Sequence, residues 1–261
     1  MACCIGLMFF ASCKKGAPTI SVITGAEYVN QNAEVYSGSP FAVGFEATGE
    51  NLIQIMLTAE QDGSALFTDS QSLDNVANYS YTKTIIINTT GTVTIRGTVT
   101  DAKGKTATKS FDIHFNEKPN SKFIGHYEGD ILVTGSVTAN MGGEDIHENL
   151  ENEPFATIVD ITAGEGINDV VAAITISGET NEVNGTVNGN RIVFEAIDDT
   201  FTFNYPYQGF SIPIPIDMNY TINGTLNGNK LDIDGTCHGV CSLFSGELTD
   251  GILGGSLIKS N

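Results

Sequence analysis

The chain reads as an all-β protein of two domains, a β-sandwich followed by an antiparallel β-barrel, and three observations predict it. A phrase occurs twice: residues 184–192 read Asn-Gly-Thr-Val-Asn-Gly-Asn-Arg-Ile, and residues 223–231 read Asn-Gly-Thr-Leu-Asn-Gly-Asn-Lys-Leu. Each copy sets an Asn-Gly pair, Asn188-Gly189 or Asn227-Gly228, between two short alternating runs. That is the strongest local signal for a two-residue hairpin turn, with both central positions expected at positive φ. No run of helical period lasts more than a few turns, and Thr, Ile, Val and Asn are abundant while Trp is absent, a composition suited to pleated, half-buried surfaces. The length, 261 residues, leaves room for two domains of ordinary size.

Charge narrows the partners. Twelve basic against 31 acidic side chains give a net charge of −19, and residues 120–261 hold 4 basic and 20 acidic side chains, or −16. A surface this acidic repels phosphate, so nucleic acid is excluded as a partner, whereas cations are compatible with it.

Taken in order, residues 1–13 form an apolar run too short to span a bilayer, ending in small residues and Cys13. The tetrapeptide Phe10-Ala11-Ser12-Cys13 resembles a lipobox. The resemblance implies that Cys13 is lipidated and becomes the mature N-terminus, with residues 1–16 serving as lipoprotein signal and tether. No basic region precedes the apolar run, so the true start is expected upstream, and Phe10 stands where Leu is commoner. Lys14-Lys15-Gly16-Ala17-Pro18 follows as a polar tether. Aspartate is absent after Cys13, which implies an outer-membrane lipoprotein facing either the periplasm or the outside. Together with the domains that follow, the chain resembles exported lipoproteins of the Bacteroidetes.

Residues 18–118 alternate in short segments, with apolar-rich runs at 41–47, 52–57, 84–87, 93–99 and 110–115. About seven strands in a hundred residues is the density of a sandwich. The clearest hairpin pairs residues 92–100 with 106–115 around Asp101-Ala-Lys-Gly-Lys105. This closing hairpin resembles that of Ig-like surface modules, although the Cys-Trp-Cys signature is missing. Lys103 and Lys105 read as a solvated turn, and His114, out of phase with Phe111, Ile113 and Phe115, as surface-facing. Glu117-Lys-Pro-Asn-Ser121 is the expected linker.

Residues 122–261 open with Gly125-His-Tyr-Glu-Gly129 on a strand-like run. A Gly-x-Tyr-x-Gly strand followed by Gly-Thr-x-Asn-Gly-Asn hairpins resembles the lipocalin-like, or calycin-like, β-barrel domains of such lipoproteins. Eight to ten strands in meander order must in any case close or pack on another sheet to hide an apolar face. Phe201, Phe203, Tyr205 and Tyr207 recur at every second position, and Ile212 to Ile222 continue an alternating stripe, so the two runs make a core wall. That wall either packs solid or lines a pocket for a small apolar ligand. Pro213 and Pro215 on the second run mark an edge or an opening.

Two further groups carry potential chemistry. Residues 141–154 read as an acidic loop in which Glu144, Asp145, His147 and Glu148 offer oxygen and nitrogen ligands, at a spacing that matches no EF-hand. Cys237 and Cys241 can form a disulfide only if the chain turns through His238-Gly239-Val240, since on one straight strand the sulfurs stand too far apart. In an exported protein that bridge is expected.

The sequence holds no serine nucleophile elbow, no His-Glu-x-x-His helix, no phosphate loop and no dinucleotide fingerprint, so no catalytic residues and no cofactor are assigned. The expected function is that of a non-enzymatic, lipid-anchored envelope protein, a binding or adhesion module whose barrel is presented by an Ig-like spacer to a protein or glycan partner. The alternative is a carrier of a small apolar ligand lined by Phe201, Phe203, Tyr205 and Tyr207. A hydrolase of surface polymers ranks third.

Overall fold

A computed structural model describes residues 16–141, 143–207, 209–241 and 245–260; the side chains at 141, 201, 203–207 and 214 lie outside the described set. Cys13 and the rest of the expected signal also lie outside it. The chain divides between Glu117 and Lys118, within the stretch expected as a linker. Both units are built of strands; the described residues contain one 3-10 turn, η1 (Ser121–Phe123), and no α-helix.

The first unit holds β1 (Thr19–Val22), β2 (Ala33–Tyr36), β3 (Pro40–Gln61), β4 (Ser64–Ile86), β5 (Gly91–Asp101) and β6 (Thr106–Asn116). Their order is β1-β3-β5-β6-β2, with β4 on the other edge of β3 and β2 running parallel to β6. Two runs expected as separate strands, 41–47 and 52–57, are one strand here. At the join β3 carries Asn51 at φ 54° and slips register, while β4 carries Asn75 at φ 49°. Asn tolerates that region better than most residues. The β3–β4 ribbon therefore bends there and covers its own core: the Tyr81 hydroxyl donates to Asp69 Oδ2 at 2.5 Å within a single strand. Twelve residues of straight strand would separate them by about 40 Å. The Tyr81 hydrogen bond holds the Asp69 carboxyl below its usual range. Phe45 packs on Phe111 at 6.1 Å between ring centroids, and Phe41 on Phe115 at 5.5 Å, so the first half of the ribbon lies against β6. Asp101 is buried because its Oδ1 accepts the backbone N–H groups of Lys103 and Lys105, at 2.9 and 2.8 Å, closing the expected β5–β6 turn.

The second unit is an antiparallel meander of β7 (Gly125–Met141), β8 (Glu144–Ala163), β9 (Asp169–Ile176), β10 (Glu179–Asn188), β11 (Arg191–Phe194), β12 (Ile197–Tyr207), β13 (Phe210–Asn227), β14 (Lys230–Cys241) and β15 (Gly246–Lys259). The order runs β11-β10-β9-β8-β7-β15-β14-β13-β12, and β11 also pairs with β13. That last ladder joins Arg191 to Thr225, Ile192 to Gly224 and Val193 to Asn223. It closes the sheet on itself, and it is made by the two copies of the repeated phrase, the second half of one lying against the first half of the other.

Both copies are hairpins, with the turn displaced by one residue from the sequence expectation. Asn188 pairs with Arg191 and Asn227 with Lys230, so the two-residue loops are Gly189-Asn190 and Gly228-Asn229. Among these loop residues only the glycines have positive φ, 58° and 64°. The Asn-Gly pair was expected to supply both central positions, but Gly takes the first, the II′ arrangement, and the asparagine before it ends the strand.

The hairpin turns and η1 gather at one end of the sheet. Phe123 and Tyr127 are completely buried there, with the Tyr127 hydroxyl donating to the Phe123 carbonyl at 2.9 Å. Lys259 lies over the Tyr127 ring, 5.6 Å from its centroid, and donates to the Lys122 carbonyl at 3.2 Å. Gly125, at φ 149°, leaves the space that the Lys259 stem crosses. On the outer face His126 Nδ1 meets Asp160 at 2.6 Å and Nε2 meets Glu128 at 2.6 Å, which ties β7 to β8.

Two outcomes follow from this geometry. Gly189→Ala meets no neighbour, so its cost is the positive φ alone, about 1–2 kcal/mol; Asn188→Ala on the strand beside it changes stability by only about 0.5 kcal/mol or less. Urea denaturation of the two variants distinguishes the turn observed from the turn expected. Hydrogen bonds to Glu128 and then Asp160 raise the His126 pKa above its ordinary value of 6.5. The stabilisation is fully present below the unfolded value, about pH 6.5, and is lost as pH rises through the higher folded value. The stability gap between wild type and His126→Asn is therefore larger at pH 5.5 than at pH 9, as read by denaturant midpoints at the two pH values.

Candidate functional site

The closing ladder spans three residue pairs, and beyond it the sheet opens. On the open side β8 pairs with β9 only from Thr157, which faces Ile176, onward. The β9–β10 turn at Ser177-Gly178 is therefore short of the arms on either side, namely the β7–β8 hairpin and the β12–β13 hairpin. Strand β12 lies along β13 from Ile197 to Tyr207, and its contact with β10 is slight. The gap between β10 and β12 leads into the interior.

The space inside is a cavity of about 370 Å³. Its walls are apolar: Ile131, Val133 and Val137 from β7, Leu248 and Leu253 from β15, and Met218 from β13. Phe155, Ile176 and Tyr220 complete them toward the gap, where Glu153, Glu179, Asp199, Thr200 and Thr202 form the rim. Pockets of 300–1,000 Å³ with apolar walls and a few convergent polar groups are the usual form of small-molecule sites. Tyr220 is 6% exposed and its phenol is pushed up to about 12, first by burial and then by the charge of Asp199. It is hydrogen-bonded with Asp199 and Asn181, and Asn181 Nδ2 in turn donates to Asp199 Oδ2 at 2.8 Å. The phenol stays protonated across the physiological range, which makes it a donor and not a base.

The backbone of the expected aromatic stripe is a strand, with Phe201 facing Ile216, Phe203 facing Ile214, Tyr205 facing Ile212 and Tyr207 facing Phe210. The four side chains themselves lie outside the described residues. Their partner strand continues inward as expected, since Ile216, Tyr220 and Ile222 are buried. The described β13–β14 ladder begins at Asp217, and on the other side Pro213 and Pro215 lie opposite Asn204 and Thr202 of β12.

The acidic segment is a correction. Residues 144–154 are strand, not loop: Glu144, Asp145, His147 and Glu148 belong to β8 and pair with Met141, Asn140, Thr138 and Val137. Alternation sends Glu144 and Glu148 to one face and Asp145 and His147 to the other, and among the described residues no group of three or more His, Cys, Asp or Glu side chains is placed to hold a metal ion. The arm carries few apolar residues because it projects beyond the core, which is why no strand pattern is visible in the sequence. Its acids line a free edge, where charge discourages pairing with another chain.

The expected disulfide is the second correction. Cys237 and Cys241 lie on the continuous strand β14, buried and free. Four residues of strand separate their Cα atoms by about 13 Å, roughly twice the reach of a bridge. The irregularity near Gly239 is a bulge against β15 and not the required turn. Cys237 borders the cavity, and burial pushes its thiol up to about 11. A thiol so protonated is a poor nucleophile at neutral pH.

Sequence reasoning missed most of the cavity wall. The alternation Ile131-x-Val133 marks an inward face, but hollowness depends on how far the arms outrun the β9–β10 turn, which no local pattern reports. A scan against protein-family models matches none, and a search of curated proteins finds no match.

The cysteine geometry sets a measurable outcome. In the chain from Lys14 onward, native protein at pH 7.5 takes up no iodoacetamide at Cys237, and denatured protein never exposed to reductant takes up two, counted by intact mass. An uptake of zero after denaturation would establish the bridge instead.

Proposed function

We propose that the second unit is a lipocalin-like carrier that holds a small apolar molecule in the open half of its barrel. The observation that carries the reading is the apolar cavity of about 370 Å³, open between β10 and β12 while the other end is sealed by Phe123, Tyr127 and Lys259. The apolar walls favour holding over conversion, and the buried thiol and phenol there both stay protonated. In this proposal the Ig-like first unit is a spacer, and lipidation at Cys13 anchors the chain to the outer membrane, on its periplasmic or outer side. The adhesion reading draws support from one observation, Phe210 at the tip of the β12–β13 hairpin, which is 76% exposed.

The test is native mass spectrometry of the chain from Lys14 onward, purified without detergent, followed by titration with the neutral fluorescent probe N-phenyl-1-naphthylamine. The carrier reading expects saturable binding of one probe per chain. Met218→Trp, which fills the cavity from β13, weakens it tenfold or more, a change of about 1.4 kcal/mol or larger. A clean apoprotein mass together with no saturable binding would remove the carrier reading and leave the outer surface as the working part.

A further inference from the structure

From residue 120 onward, the lysines and the arginine of the second unit gather at one end. Its basic side chains within residues 120–261 are Lys122, Arg191, Lys230 and Lys259, and every one sits at the sealed end. Lys122 is in η1, Arg191 and Lys230 follow the two Gly-Asn turns, and Lys259 ends β15. Each is also engaged. Lys122 donates to Asn190 Oδ1 at 2.6 Å, and Arg191 grips both oxygens of Asp234 at 3.0 and 2.7 Å. Lys230 stands 4.0 Å from Asp232, and Lys259 covers Tyr127.

The open end holds the opposite sign. Among the described residues no Lys, Arg or His lines the cavity, while Glu153 of β8, Glu179 of β10 and Asp199 of β12 stand on its rim. The three carboxylates come from three separate strands around the one gap. Asp199 is occupied by Asn181 and Tyr220, whereas Glu153 and Glu179 take no hydrogen bond or ion pair among the described residues. Carboxylates beside low-dielectric apolar walls focus a negative potential into the opening, and such a potential selects the sign of what enters.

We propose that the ligand is a cationic amphiphile, a small molecule with an apolar body of alkyl or aryl character and one ammonium group. The body fills the space between Val133, Val137, Met218 and Leu248, and the ammonium remains at the rim between Glu153 and Glu179, with Asp199 beyond. The head keeps part of its hydration there, as charged ends of amphipathic groups do when their stems are buried. A fatty acid, with the same body and the opposite head, is repelled at the same place. This inference rests on the carrier reading and adds the charge of the ligand to it.

The experiment uses one chain length with three heads: decylammonium, decanol and decanoate, below their micelle concentrations at pH 7 and low ionic strength. Each competes with N-phenyl-1-naphthylamine on the chain from Lys14 onward. The expected order is decylammonium tightest, decanol intermediate and decanoate weakest, with about a 5- to 30-fold advantage of the amine over the alcohol, as expected for one charge beside partly hydrated carboxylates. Raising the salt to 0.5 M shrinks that advantage, because exposed charges are screened. In E153Q/E179Q, whose sites are both exposed and whose fold is undisturbed, decanol binding persists and the preference for the amine falls to within about threefold of decanol, a residue of the remaining Asp199 charge. Equal binding of the three heads, a preference for decanoate, or a preference unmoved by both salt and the double variant overturns the cationic ligand while leaving the carrier reading intact. Failure of all three heads and of the probe overturns both.

Discussion

The second unit depends on a short ladder, the three pairs between β11 and β13. Without it, nine strands would form an open curled sheet with one apolar face exposed. With it, the core residues of nearly every strand face a common interior, from Phe123 at one end to Leu248 toward the other. The ladder is short because β11 and β12 share the same partner. Strand β13 is long enough to pair with β11 through residues 223–225 and with β12 through residues 210–220. Only the β11 portion also reaches β10 in register, so one segment completes a ring and the other leaves it. Closure and opening are thus consequences of one irregularity at Glu195-Ala196, where the chain departs from β10.

The repeated phrase explains why closure happens at that place. In each copy the Gly-Asn turn brings two strands together, and the residue after it is basic. When the copies lie side by side, Arg191 crosses β13 and reaches Asp234 on β14, and the Leu226 N–H donates to the Asn190 carbonyl at 2.8 Å. An exposed ion pair of this kind contributes little energy in water, yet a bidentate grip fixes orientation. Ile192, Leu226 and Leu231 beneath it are buried in one apolar cluster. Basic residues are therefore placed by the turns, and the turns are at the sealed end. The acidity of the other end follows from what remains: arms that outrun the core need solubility and protected edges, and carboxylates supply both.

Much of the fold was legible because its signals are local. Period-2 alternation and turn residues give the class, the β5–β6 hairpin with its Asp101 turn, and the two hairpins of the repeated phrase. Within the stripe from 212 to 222, Ile216, Tyr220 and Ile222 are likewise buried, as their spacing required. What was not legible depends on the distance a strand continues past its pattern. Residues 41–47 and 52–57 read as two strands because Asn51 interrupts the alternation, but a positive φ at Asn51 bends a strand without ending it. The turn at Asp62-Gly63, where both residues have positive φ, was a readable hairpin signal and would have fixed the β3–β4 ribbon. The acidic arm of β8 hid for the opposite reason, having no buried face to write a period. Cys237 and Cys241 were read through their compartment, whereas their spacing on an uninterrupted inward stripe, with Leu231 and Ile233, already placed them on a strand.

The interior is packed at one end and hollow toward the other. At the sealed end the fully buried residues are large, Phe123 and Tyr127 with Leu231 and Leu257, and they belong to one buried cluster. Toward the opening, Ile131, Val133 and Val137 of β7 lie beside Leu248 and Leu253 of β15 as one wall of the cavity. An unfilled apolar interior forgoes dispersion contacts that a packed one would have, and a few larger residues on these strands would recover them. Among the described residues the walls instead leave a gap between β10 and β12, next to a buried tyrosine whose hydroxyl is held by Asp199 and Asn181. The β11–β13 ladder closes one half of this unit, and the other half is left as a space with apolar walls and carboxylates at its rim.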